Sequence, residues 1–172
     1  MIDVLTRMLR TGVLTEPGPG ADDSAPTAEI LQSSLYGLLG RALSIRHVDA
    51  GSCNGCELEI AALHNPYYNL EGQGVHFVAS PRHADLLLVT GPVSVNMEEA
   101  LKRTYAAVPD PKLVIALGDC ASCGGVFGQN YASRGAIANV IPVHLTIPGC
   151  PPDPVAILSG ILKAVRTIRL TA

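Results

Sequence analysis

From residue 44 onward, short apolar runs alternate with segments whose apolar residues recur every three or four positions. The runs are "SIRHVDA" (44–50), "VHFVAS" (75–80), "ADLLLVTG" (84–91), "KLVIALG" (112–118) and "VHLTIPG" (143–149), and each reads as a strand. Between and after them, "NGCELEIAALHN" (54–65), "NMEEALKRTYAAV" (96–108) and "PVAILSGILKAVRTIRL" (154–170) read as helices, the first stopping near Pro66. Strands that are unbroken apolar runs suit a parallel sheet covered on both faces. Their alternation with helices implies right-handed crossovers. The expected fold class is therefore α/β, an open three-layer, mostly parallel sheet. A flavodoxin-like strand order is expected because it is common in sheets of this size.

Residues 1–45 stand outside this alternation. Ile2, Val4, Leu5, Met8 and Leu9 offer an apolar face for a short helix over 1–11. The Gly-, Pro-, Asp- and Ser-rich stretch that follows reads as a loop, and 27–43 as a second helix with Thr27 as N-cap and Glu29 in its first turn. The expected division is an N-terminal helical arm, 1–45, and an α/β domain, 46–172.

Composition narrows the setting. Of 172 residues 48% are hydrophobic and only 16% charged, a balance that suits a chain partly covered by other subunits. A net charge of −3 gives no nucleic-acid footprint. No apolar run is long enough to span a bilayer, and "MIDVLTRMLRTGVL" has neither a secretory core nor a twin arginine, so a cytoplasmic location is expected. There, an odd count of five cysteines favours metal or redox chemistry over a disulfide framework.

The cysteines follow the strands. Cys53 and Cys56 come after the first, Cys120 after the fourth and Cys150 after the fifth. In a parallel sheet these strand ends share one edge, the edge where open α/β folds bind ligands. Gly51, Gly55, Gly118, Gly124, Gly125 and Gly149 surround them and suit a buried, close-packed site. Pro148, Pro151 and Pro152 stiffen the turn at Cys150, and Ser52, Asn54 and Ser122 are candidate hydrogen-bond donors to the ligands. Four thiolates hold either a [4Fe–4S] cluster or a zinc ion. Pairing "CASC" (120–123) with Cys53 and Cys56 also gives four of the five, leaving Cys150 over. The set preferred here is Cys53, Cys56, Cys120 and Cys150.

"GSCNGCE" (51–57), "SPRHADLLLVTG" (80–91), "GDCASCGG" (118–125) and "IPGCPP" (147–152), in that order, resemble the small-subunit family shared by membrane-bound [NiFe] hydrogenases and the 20 kDa subunit of respiratory complex I. The resemblance covers about residues 40–170. "CNGC" resembles the hydrogenase branch, in particular the energy-converting, formate-hydrogenlyase type (group 4), whereas the complex I subunit carries adjacent cysteines there. The resemblance implies one [4Fe–4S] cluster on Cys53, Cys56, Cys120 and Cys150. It implies an oxidoreductase subunit relaying electrons to or from a large partner of the complex I 49 kDa type, which would carry the NiFe centre. It further implies a ferredoxin-like iron–sulfur partner, membrane subunits, and a peripheral place on the cytoplasmic face of the inner membrane. The alternative within the family is a complex I-like subunit whose cluster reduces quinone. More remote alternatives are a thiol oxidoreductase, which leaves Cys120 and Cys150 unexplained, and a structural zinc module.

Other residues have narrower readings. Glu57, following Cys56 at a helix start, is a candidate proton carrier beside the cluster; the plainer reading is a carboxylate favoured by the helix N-terminus. Cys123 is extra to the ligand pattern and is expected to be a small buried residue. Arg82, His83 and Asp85 read as a solvated turn with a local ion pair; the resemblance implies instead a place near the partner interface, which is preferred, or near a quinone-like pocket. His47, His64, His76 and His144 have no ligand spacing and read as core or surface residues. Tyr131 and Arg134 lie in a loop, "GQNYASRG" (128–135), that faces either a partner or solvent.

Overall fold

A computed structural model describes residues 40–168 together with residues 6, 33 and 35–37. Strands β1 (Leu43–Asp49), β2 (Val75–Phe77), β3 (Leu86–Thr90), β4 (Leu113–Leu117) and β5 (Leu145–Ile147) form one all-parallel sheet in the order β2-β1-β3-β4-β5. This is the flavodoxin-like order. Helices α1 (Gly55–Ala62), α2 (Val95–Ala107), α3 (Asp119–Cys123) and α4 (Pro154–Ile168) complete the described body.

Side chains alternate across the pleat, so each strand feeds two cores. On one face Leu43, Ile45, Leu86, Leu88, Ile115, Leu117 and Ile147 pack with Ile60 and Leu63 at α1 and with Ile157, Ile161 and Val165 of α4. On the other, Val48, Leu87, Val89, Val114 and Ala116 pack with Leu101 of α2, Ala121 of α3, and Ile137 and Ile141. Every residue of β3 and β4 is buried, which is why both read as unbroken apolar runs. Each such leucine or valine contributes about 1.5–3 kcal/mol by leaving water. The three layers of the expected α/β class are therefore present.

Several expected boundaries move inward. The first helix ends at Ala62 rather than 65, because Asn65 folds the chain, its Oδ1 accepting from the Tyr67 and Tyr68 amides at 2.9 Å each. β2 ends at Phe77 and β5 spans three residues only, both lying at sheet edges with one neighbour each. Between β2 and β3 the connection carries a single 3₁₀ turn, Pro81–His83, in place of a crossover helix. Most of the 1–45 arm, with its expected helices at 1–11 and 27–43, lies outside the described residues. Residues 35–37 are helical, and Leu35 is fully buried in the same core as α1 and α4. Among the described residues no helix is long and apolar enough to cross a membrane.

Candidate metal centre

The loop after β1 begins at Asp49, whose Oδ1 accepts from the amides of Gly51 (2.8 Å) and Ser52 (2.7 Å). That turn aims the chain back over the sheet edge, where Cys53 precedes α1 and Cys56 occupies its first turn. β4 ends at Leu117, and Gly118 then turns with φ 89° into α3, whose second residue is Cys120. β5 ends at Ile147, and Cys150 follows with a cis peptide bond to Pro151.

These three loops close on one cavity of about 80 Å³ lined by Cys53, Cys56, Cys120 and Cys150, with Ser52, Gly91 and Asp119 among its other walls. The strand reading thus brings the four chosen cysteines to one place. Cys123 does not line it. Its thiol donates to the Asp119 carbonyl at 3.1 Å and is exposed, contrary to the expected buried residue, because the last position of so short a helix faces solvent. The expectation of a buried site is also corrected in part. Cys56 and Cys120 are half-buried, whereas Cys53 and Cys150 are exposed.

Two glycines make the close approach feasible. A Cβ on Gly118 would stand 2.8 Å from Cys56 Sγ, and one on Gly125 2.6 Å from Cys120 Sγ. Burial pushes the Cys56 thiol up to about 11, and Glu57, Cys53, Cys120 and Cys150 add to it. The Cys120 thiol is raised by burial, then by Cys150, Cys53, Asp119 and Cys123. Cys53, Cys120 and Cys150 all add to the Cys56 shift, so that thiol needs a cation in the cavity to become a thiolate near neutral pH.

Glu57 is held from both sides. Its Oε2 accepts from Ser52 Oγ at 2.6 Å, and its Oε1 accepts from Thr90 Oγ1 in a short hydrogen bond. Thr90 is fully buried at the end of β3, and His47 Nε2 lies 3.0 Å from its hydroxyl. Burial lowers the His47 pKa despite the opposing pull of Glu57, so the imidazole beside this carboxylate is neutral near pH 7. Sequence reasoning placed His47 among bystanders and did not name Thr90, Gly91 or Asp119. Thr90 carries a signal nonetheless, being the polar residue in an otherwise apolar buried strand.

The remaining candidates do not reach the cavity. Ser122 Oγ donates to the Gly118 carbonyl at 2.9 Å. Asp85 pairs with Arg41 at 2.5 Å and accepts from the Ser44 amide, while Arg82 and His83 are exposed. Arg134 is tied to Glu98 of α2 at 2.7 Å, and Tyr131 is exposed. His64, His76 and His144 are exposed, the last accepting from the Val114 amide through Nδ1.

The motifs that build the cavity also fix the lineage. Residues 53–164 match the family described as NADH ubiquinone oxidoreductase, 20 kDa subunit. The chain belongs to this family. Its members are subunits of oxidoreductases of the hydrogenase and complex I type. One relative is the probable membrane-bound hydrogenase subunit mbhJ of Pyrococcus furiosus, 46% identical over 79% of this chain and 81% of that protein. Another is formate hydrogenlyase subunit 7 of Escherichia coli, 42% identical over 78% of this chain, which spans about half (53%) of that protein. Among solved structures, a chain of the membrane-bound sulfane sulfur reductase, an archaeal respiratory membrane complex, superposes with TM-score 0.66 at 35% identity, covering 76% of this chain and 72% of that one.

Proposed function

We propose that this chain is the electron-relay small subunit of a multisubunit, membrane-associated [NiFe] hydrogenase, holding one [4Fe–4S] cluster on Cys53, Cys56, Cys120 and Cys150. The observation that carries the reading is the convergence of four thiols, from the ends of β1, β4 and β5, on one cavity. The donor set fits the group. Four thiols line a single cavity, and a [4Fe–4S] cluster offers one iron to each of four thiolates.

When bound, the cluster supplies one-electron storage and transfer. The chain's own residues place and surround it. Cys53 and Cys150 line the cavity at its exposed rim, the side open to the large partner expected to carry the NiFe centre. Val126 and Tyr131, 97% and 98% exposed in the loop after Cys120, offer further surface to such a partner. The ferredoxin-like subunit, the membrane subunits, the cytoplasmic-face location and the role of residues 1–45 as a contact arm belong to the same proposal. Glu57 is the proton carrier of the site. Its hydrogen bonds through Thr90 to partly exposed His47 supply a continuous polar path away from Cys56.

The second reading, a subunit whose large partner lacks nickel, draws on the family's ubiquinone-oxidoreductase description and on the sulfane sulfur reductase neighbour. Anaerobic purification of the intact complex from its native host, with iron and nickel analysis and EPR of the reduced state, separates the two. Iron with a [4Fe–4S] signal plus nickel is the expected result. Iron without nickel selects the second reading. Zinc without an EPR signal removes both.

A further inference from the structure

We infer that Asp119 is a potential-setting clamp: its carboxylate fastens the last two ligand loops together and holds a fixed negative charge against the cluster cavity. The inference rests on the ligand set proposed above. Asp119 opens α3 directly before Cys120, is half-buried, and lines the same cavity as the four cysteines. It pairs with Gly149 in both directions. The Asp119 amide donates to the Gly149 carbonyl at 2.9 Å, and Asp119 Oδ1 accepts from the Gly149 amide at 2.8 Å. Gly149 immediately precedes Cys150, so one residue joins the loop after β4 to the loop after β5. The side chain does not cap its own helix.

The hydrogen bond alone does not require a charge, because an amide or hydroxyl oxygen accepts from Gly149 equally well. Among the described residues no ion pair neutralises Asp119. Its carboxylate lies in the wall of the cavity that the four cysteines line, directly before Cys120, so its charge stands beside any centre held there. A centre in this cavity that takes up an electron gains negative charge beside one already fixed there. That disfavours the reduced form and lowers the midpoint potential. Charge and clamp are therefore separable roles of one side chain.

The test uses the complex purified anaerobically with Asp119→Asn, Asp119→Glu and Asp119→Ala, read by iron content, EPR-monitored redox titration and the rate of iron release to a chelator. Asp119→Asn keeps its iron and its midpoint moves positive. At a fixed ambient potential the reduced-to-oxidised ratio rises on the order of tenfold, equivalent to ~59 mV for a one-electron couple. Asp119→Glu, which retains the charge, titrates near the wild type. Asp119→Ala releases iron several-fold faster than Asp119→Asn. Asp119→Ser, a second neutral acceptor, keeps the comparison decisive where Asp119→Asn does not assemble. An unmoved midpoint in the neutral variants overturns the charge role, and equal release from Asp119→Ala and wild type overturns the clamp. A wild-type complex with no iron overturns the ligand reading instead.

Discussion

Cys56 is a thiol that stays protonated near neutral pH when left to itself, since burial and its charged neighbours push it up to about 11. The ligand role proposed for it therefore depends on a cation sharing the cavity, and the same holds for Cys120. Cys56→Ser, Cys120→Ser and Cys150→Ser are each expected to strip iron from the purified complex, while Cys123→Ser keeps it; iron analysis checks this. Glu57→Gln is expected to slow turnover with iron content unchanged, and turnover equal to wild type would remove the proton-carrier role. His47 gives a pH dependence with a definite sign. Burial holds it below its ordinary 6.5, so the unfolded chain takes up a proton at a pH where the folded one does not. Stability is complete above 6.5, falls as pH drops through that value, and stops falling below the lowered folded pKa. Urea unfolding at about pH 5.5 and about pH 7.5, either side of the ordinary histidine value, should show this drop, and His47→Gln should shrink it. At this scale the cysteines were legible because their residue type and spacing announce metal chemistry. Thr90, His47 and Asp119 were not, because each acts through a partner more than twenty-five positions away.

At the scale of elements, legibility follows burial. β3 and β4 lie inside the sheet with both faces covered, so their composition alone marks them. Leu88 reaches the larger core from β3, and Leu88→Ala is expected to cost about 2–5 kcal/mol in urea unfolding. α3 was illegible as a helix, because five residues between two positive-φ glycines carry no helical period. Those glycines fix its placement all the same. Gly118→Ala adds a methyl 2.8 Å from Cys56 Sγ at a φ of 89°, and is expected to lower iron content while leaving far-UV circular dichroism intact. The loop at 128–135 read in sequence as facing a partner or solvent. It is pinned by Ser94↔Ser133 and Gln129↔Arg134 bridges and by the Arg134–Glu98 pair, contacts that only the folded chain brings together.

The whole molecule separates its scaffold from its site. Two apolar cores close on either side of the sheet, and Cys56 is the one proposed ligand packed against either of them. Removing the metal by chelation is accordingly expected to leave far-UV circular dichroism unchanged, while limited proteolysis speeds up at the loops holding Cys53 and Cys150. The convergence of the thiols was readable from the parallel-strand reading, without the strand order, because a parallel sheet sends every carboxyl end to one edge. The openness of the rim was not, since residue types and spacing carry no record of how far Cys53 and Cys150 stay exposed.

That same edge imposes a timetable on biogenesis. Cys53 emerges from the ribosome about a hundred residues before Cys150, and the last anchor follows a strand that docks only on β4. A nascent chain stopping short of β5 presents three sulfurs and an unclosed cup. On the ligand set proposed above, iron–sulfur loading must therefore wait for β5 to emerge and dock on β4, which makes metal content a certificate that the sheet was closed.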